Sequence, residues 1–388
     1  MDTRRPNTLL RRQRENRGWS QKKVAELLRT SEDVISRWER GERKPSPFYQ
    51  EKFCTLYNLS AEELGFVDST PDQTHILVPS FDQTLNDQLD DAESVINLAW
   101  EVWFAAKPQQ AAREITRHLP KLEHLLRTHP TAPQALRIRE LVLRCHGLLG
   151  GIHLDALQND SALFHYKHAQ QLAAESHDVE QAAAYLALMG DTLRRQGEKL
   201  KAINYMEQAR DQAITAGKAT QGFIRQLLAY TYADTSHEPE FERTIQEATD
   251  LLAFSSEANG TAKKEFVPFE IYEIRGKANR DLGKPLEALT YLDLAEASLK
   301  QMTVTPRWHA VLDISRGQAL CDAGDLTTGI ELASRGFLLA YQCRSPRQMN
   351  RVRKLLKKLE AGPGRDEPAV SALKELLYET YLHLDLEE

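Results

Sequence analysis

The amino-acid sequence predicts an all-α protein, with a small five-helix head, a linker and a long body of repeated helical hairpins. Three observations carry this. Sustained period-2 alternation is absent, while apolar residues recur at i, i+3 and i+4 through nearly the whole chain. Small residues recur in register along the body. The charge is also divided unevenly between the two ends. A content of 41% hydrophobic and 27% charged residues excludes a disordered or fibrous chain. No apolar run approaches the roughly 20 residues needed to cross a bilayer. The four cysteines lie at least 22 positions apart (321 to 343), which excludes a dense disulfide framework and a CxxC metal knuckle, and fits a reducing cytoplasm.

In residues 1–66 the helices are expected at Asn7–Asn16, ending before Gly18; from Ser20, as cap, to Leu28; and from Ser31, as cap, to Glu39, ending at Gly41. Pro47 suits the first position of a fourth helix through Tyr57, and Ser60 starts a last short turn through Leu64. Residues 67–91, with two prolines and many Asp, Gln and Thr, are expected to be a linker. Residues 92–388 form the repeat body.

In that body a small residue is followed by others 12 and 19 positions later. Gly150, Ala162 and Ala169 fit, as do Gly190, Ala202 and Ala209; Gly276, Ala288 and Ala295; and Gly317, Gly329 and Gly336. Ala229, Phe241 and Ala248 make a weaker copy. A turn glycine falls seven positions after the anchor at Gly197, Gly283 and Gly324. Small residues at these positions let the two helices of a hairpin approach closely. Residues 92–128 are expected to add a hairpin and Ser345–Glu360 a helix. A terminal helix over Pro368–Leu386 either caps the last apolar face or serves dimerisation.

The net charge of −6 averages two unlike parts. Residues 1–44 hold 13 Lys and Arg against 7 Asp and Glu, a surplus of +6. The remainder holds 37 against 49, or −12. Such asymmetry points to anion binding at the basic end.

The run Trp19-Ser20-Gln21-Lys22-Lys23-Val24-Ala25-Glu26-Leu27-Leu28, followed by Ser31-Glu32-Asp33-Val34-Ile35-Ser36-Arg37-Trp38-Glu39-Arg40-Gly41, resembles the xenobiotic-response-element (repressor/Cro-like) helix-turn-helix family over about residues 7–65. That resemblance implies double-stranded DNA as partner. Helix 3 would enter a major groove with Glu32, Asp33, Ser36 and Arg37 facing base edges. Gln21, Arg40, Arg43 and Lys44, with the Arg4-Arg5 arm, would contact phosphates. Glu32 and Asp33 would either accept from cytosine N4 or serve the dipole at the start of helix 3. Trp38 is expected in the core.

The body resembles the tetratricopeptide repeat, which implies a right-handed α-solenoid with the first helix of each pair lining a concave groove. By that resemblance the inward positions are Asp191, Arg194 and Arg195; Gln226 and Tyr230; Glu273, Lys277, Arg280 and Asp281; and Gln318. These suit an extended oligopeptide or protein ligand, or else form an ordinary hydrated surface. The combined architecture is similar to peptide-sensing quorum regulators of Gram-positive bacteria, although no asparagine ladder occupies the inward positions. The expectation is a cytoplasmic, homodimeric transcription regulator. The alternatives are an interaction scaffold and an antitoxin or phage-type repressor whose repeats bind a partner protein. His165 and His168, three apart, lack an accompanying ligand set, so no metal is expected. No HExxH, P-loop or GxSxG motif occurs, so neither cofactor nor catalysis is expected.

Overall fold

The computed structural model describes residues 6–59, 61, 63–66, 81–104, 107–128, 130–254, 266–300 and 306–387. Every regular element among them is helical, and two compact units emerge, Met1–Leu85 and Asn86–Glu388.

The first unit holds α1 (Thr8–Asn16), α2 (Gln21–Leu28), α3 (Glu32–Glu39) and α4 (Pro47–Tyr57). The boundaries follow local chemistry. The Ser20 hydroxyl accepts from the Lys23 N–H at 3.0 Å, and Ser31 accepts from Val34 at 3.4 Å. Pro47 opens α4, where a missing N–H costs nothing. The element expected from Ser60 is a turn rather than a fifth helix over its described residues, and its Leu64 and Phe66 are buried. These pack with Leu10, Val24, Ala25, Leu28, Ile35 and Phe53. Trp38 belongs to this core, its ring 4.8 Å from Tyr49 and 5.7 Å from Phe53.

The second unit is a tetratricopeptide-like α-solenoid. Its opening helices are α5 (Phe81–Phe104) and α6 (Pro108–Arg127). Residues 81–91 are therefore helical rather than linker. Leu85, Leu89, Ala92 and Ile96 form a buried stripe at helical spacing beneath the polar residues that suggested a loop.

Five hairpins follow: α7 (Ala132–Asp155) with α8 (Asn159–Glu175), α9 (Val179–Arg195) with α10 (Lys199–Gln212), α11 (Lys218–Asp234) with α12 (Glu238–Asp250), α13 (Pro268–Asp281) with α14 (Pro285–Leu299), and α15 (Pro306–Asp322) with α16 (Leu326–Gln342). Helices of 13 to 17 residues in α8–α16 account for repeat steps near 40 residues. The expected small residues lie where the helices meet. A Cβ on Gly317 would stand 2.6 Å from the Gly329 carbonyl oxygen and 2.8 Å from the Ala333 nitrogen. The turn glycines Gly197, Gly283 and Gly324 have φ of 87°, 80° and 96°.

Helices α17 (Pro346–Glu360) and α18 (Pro368–Glu387) end the chain. Val370, Leu373 and Leu377 of α18 are buried with Phe337 of α16 and Val352 of α17, so this helix caps the last apolar face. Successive first helices pack in a row, α9 on α11, α11 on α13, α13 on α15 and α15 on α17, and α17 also touches α7.

Candidate nucleic-acid interface and repeat-domain interior

In the first unit α3 presents Glu32, Asp33 and Arg37 exposed and Ser36 half-exposed, while Ile35, Trp38 and Glu39 face inward. The outward row is internally paired. Arg37 Nη2 lies 2.7 Å from Asp33 Oδ2, one turn earlier. Arg40 donates to Ser36 Oγ at 2.7 Å and to Glu42 at 2.6 Å. These exposed pairs are screened by solvent and give way readily to a better acceptor. Glu32 and Asp33 occupy the first turn, where their charge suits the helix dipole.

Gln21, at the start of α2, donates its side-chain amide to Glu39 Oε2 at 2.8 Å. That acceptor is a buried charge that the sequence pattern did not expose. Glu39 is 4% exposed and receives two bonds from Arg14, at 2.6 and 2.9 Å. Arg14 also donates to the Trp19 carbonyl at 2.9 Å, tying α1 and the α2 entry to the last residue of α3. The Glu39 hydrogen bond raises the Arg14 pKa. Lys44 is exposed and Arg43 half-exposed, whereas Arg4 and Arg5 lie outside the described residues.

Two helices joined by three residues, the second with its polar face exposed, form a helix-turn-helix. Residues 8–65 match a helix-turn-helix domain family. Two solved structures resemble the chain more broadly. Bacillus thuringiensis PlcR, solved with the peptide PapR7 and DNA, is 14% identical with a TM-score of 0.40, covering 77% of this chain and 95% of that one. A Rap protein complexed with Competence and Sporulation Factor is 17% identical with a TM-score of 0.48, covering 76% and 89%. No curated protein matches the sequence.

The residues expected along the repeat interior come together as a polar network in which Asp191, Arg194, Gln226 and Glu273 are buried, Tyr230, Lys277, Arg280 and Gln318 half-buried, and Arg195 and Asp281 exposed. Asp191 pairs with Arg194 and Arg195, each at 2.8 Å, and Arg194 reaches Asp234 at 2.9 Å. Arg194 and Lys277 lie 4.3 and 4.7 Å from the centre of the Tyr230 ring. Lys277 also binds Glu273 at 3.0 Å, and Glu273 accepts from Ser315 Oγ at 2.6 Å. Arg280 donates to Asp281 and to Gln318, and the Gln318 oxygen accepts from Arg351 at 3.0 Å. Gln226, one turn before Tyr230, is buried. Burial raises the Asp191 pKa, but Arg195 and Arg194 outweigh it and hold the carboxyl well below its ordinary range.

Sequence reasoning missed Asp155, Arg307, Ser315, Arg347 and Arg351. Asp155, at the end of α7, is 2.8 Å from Arg307 and 3.4 Å from Arg347, and accepts from Ser345 Oγ at 2.9 Å. Arg307 also stands 5.6 Å from the Trp103 ring centre. These partners are 152 and 190 positions apart, beyond the reach of any local pattern.

His165 and His168 belong to a stacked group with His146 and His153. His146 Nδ1 and His165 Nδ1 are 2.9 Å apart, and burial drives the His146 pKa to about 3 and that of His165 to about 4. Among the described residues no three His, Cys, Asp or Glu side chains are placed to hold a metal ion. No helix among the described residues is long and apolar enough to cross a membrane.

Proposed function

We propose that the protein is a sequence-specific DNA-binding transcription regulator. In this reading the repeat domain senses a ligand, a signalling peptide by the architecture, and mediates homodimerisation in the cytoplasm. The observation that carries the DNA-binding part is the exposed polar face of α3 beside the tightly anchored α2–α3 turn. Ser36 and Arg37 face base edges, with Arg37 exchanging Asp33 for a guanine edge. Glu32 and Asp33 either accept from cytosine N4 or keep their place at the helix dipole. Arg40, Arg43 and Lys44, with Arg4 and Arg5 of the leading arm, neutralise phosphates, and the helix-entry backbone beside Gln21 lies along the strand. A dimer doubles the contacts of one small head and matches a two-fold operator. The polar repeat interior supplies the ligand site.

DNA selected from a random pool and titrated by fluorescence anisotropy at several salt concentrations tests the assignment. Lys44→Ala should weaken all sequences alike and flatten the logarithmic salt slope by about 0.9. An unchanged slope would remove Lys44 from the phosphate contacts.

A further inference from the structure

The exposed row of α3 holds an ion pair whose two halves cannot meet DNA independently. Arg37 Nη2 lies 2.7 Å from Asp33 Oδ2, with the two side chains 55% and 62% exposed. Ile35 and Trp38 are locked into the core of the head, and their anchoring fixes the rotation of α3 that turns the pair outward. Arg40, the next cation along, is engaged with Ser36 and Glu42.

A major groove offers this pair an asymmetric choice. Guanine presents two acceptors, N7 and O6, which match the guanidinium fork. A carboxylate set beside those atoms, beside thymine O4 or beside a phosphate meets only negative edges. When Arg37 turns to guanine, Asp33 loses its cation and stays in the groove. The donors available to it there are cytosine N4 and adenine N6. Adenine carries the N7 acceptor next to N6, which repels the second carboxylate oxygen, whereas cytosine carries only C5–H next to N4. Cytosine is therefore the base that takes up the released carboxylate. Residues four apart are separated by about 6 Å along a helix and base pairs by about 3.4 Å, so that cytosine falls within roughly two base-pair steps of the guanine.

We infer, on the reading of α3 as the DNA-contacting helix, that Asp33 and Arg37 read DNA as a pair: a guanine by Arg37 and a nearby cytosine by Asp33, which sets the specificity at that second base. The selection works by exclusion as well as by attraction. A wrong second base leaves the carboxylate either facing acceptors or still holding Arg37 away from its guanine.

The full chain and its Arg37→Ala, Asp33→Ala and Asp33→Asn variants are each to select sites from a random DNA pool. Anisotropy competition with single-base variants of the wild-type site then measures discrimination at each position. The wild-type motif should hold a guanine that Arg37→Ala no longer requires, with a cytosine close beside it. Asp33→Ala should keep the guanine, lose discrimination at the cytosine by about fivefold or more, and bind the thymine variant more tightly than the wild type does. Asp33→Asn, nearly isosteric, should move the preference at that position to adenine, whose N6 and N7 match a carboxamide. Both substitutions alter an exposed side chain, and circular dichroism checks that the head stays helical. A uniform loss of affinity by Asp33→Ala with the motif unchanged would assign the carboxylate to the helix dipole alone and overturn the paired reading. An Arg37-dependent guanine with no Asp33-dependent base beside it would overturn it too, while leaving α3 as the reading helix. No enriched motif for the wild type would remove DNA reading by α3 itself, and the role of the pair with it.

Discussion

Arg14 shows how one side chain fixes the direction in which α3 points. Its guanidinium holds the Glu39 carboxylate with two short bonds and the Trp19 carbonyl with a third. Arg14→Ala leaves that carboxylate buried with the Gln21 amide donating to it in place of a guanidinium, so a loss of about 3–5 kcal/mol is expected for the head. Calorimetric melting measures it, and a loss below about 1 kcal/mol would mean the pair is incidental. Leu157 offers a case of opposite sign. It occupies the position where other repeats carry Gly197, Gly283 and Gly324, and it has a φ of 64°. It is also 44% exposed, so its side chain contributes little burial. Relief of about 1–2 kcal/mol of left-handed strain exceeds the roughly 0.4–1 kcal/mol of added unfolded-state entropy. Leu157→Gly should therefore raise stability by about 0.5–1 kcal/mol in urea unfolding, and any loss would contradict this reading of the turn.

At the scale of elements, close helix approach is the rule that the repeats obey. Gly317→Ala gains helix propensity of about 1 kcal/mol, yet its methyl group meets backbone atoms of α16 at 2.6 and 2.8 Å. Overpacking of about 1–3 kcal/mol or more wins, so the variant should unfold at lower urea; equal or greater stability would contradict the packing. Helix ends were the most legible feature of the sequence. Ser20, Ser31 and Pro47 begin their helices where local chemistry places them, and α6, α13, α14, α15, α17 and α18 also open on proline. The start of α5 was not legible, because its acidic and amide-rich outer face hid the Leu85–Leu89–Ala92–Ile96 stripe. In the candidate sites, individual inward residues could be read from repeat phase. Their partners could not, since Arg351 and Arg347 lie on α17, outside the phased copies, and the Asp155–Ser345 bond spans 190 positions. Glu39 was visible only as part of the Trp38-Glu39 run, and nothing in spacing marked Arg14 as its partner.

For the molecule as a whole, charge is partitioned by role. The first 44 residues carry a surplus of +6 and the remainder carries −12, so phosphate attraction belongs to the head and repulsion to the rest. Within the repeat unit, the stacked histidines make stability depend on pH. Burial holds His146 and His165 neutral in the folded state, with pKa values of about 3 and 4, below the ordinary 6.5. The unfolded chain therefore binds protons that the fold refuses. Their contribution is complete above about pH 6.5 and is lost as pH falls toward the folded values. The two shifts together, discounted for the partial exposure of the imidazoles, should lower stability by roughly 2–4 kcal/mol between pH 7 and pH 5, before Asp191 or Asp155 protonates, and a constant urea midpoint over that window would contradict it. The central claim is that α3 reads DNA sequence. Selection of binding sites from a random DNA pool by the wild type and by Arg37→Ala tests it most directly. The account predicts a defined motif for the wild type, with preference at one base pair relaxed by about 1–3 kcal/mol in the variant. Identical motifs for the two proteins, or no enriched motif for the wild type, would contradict it.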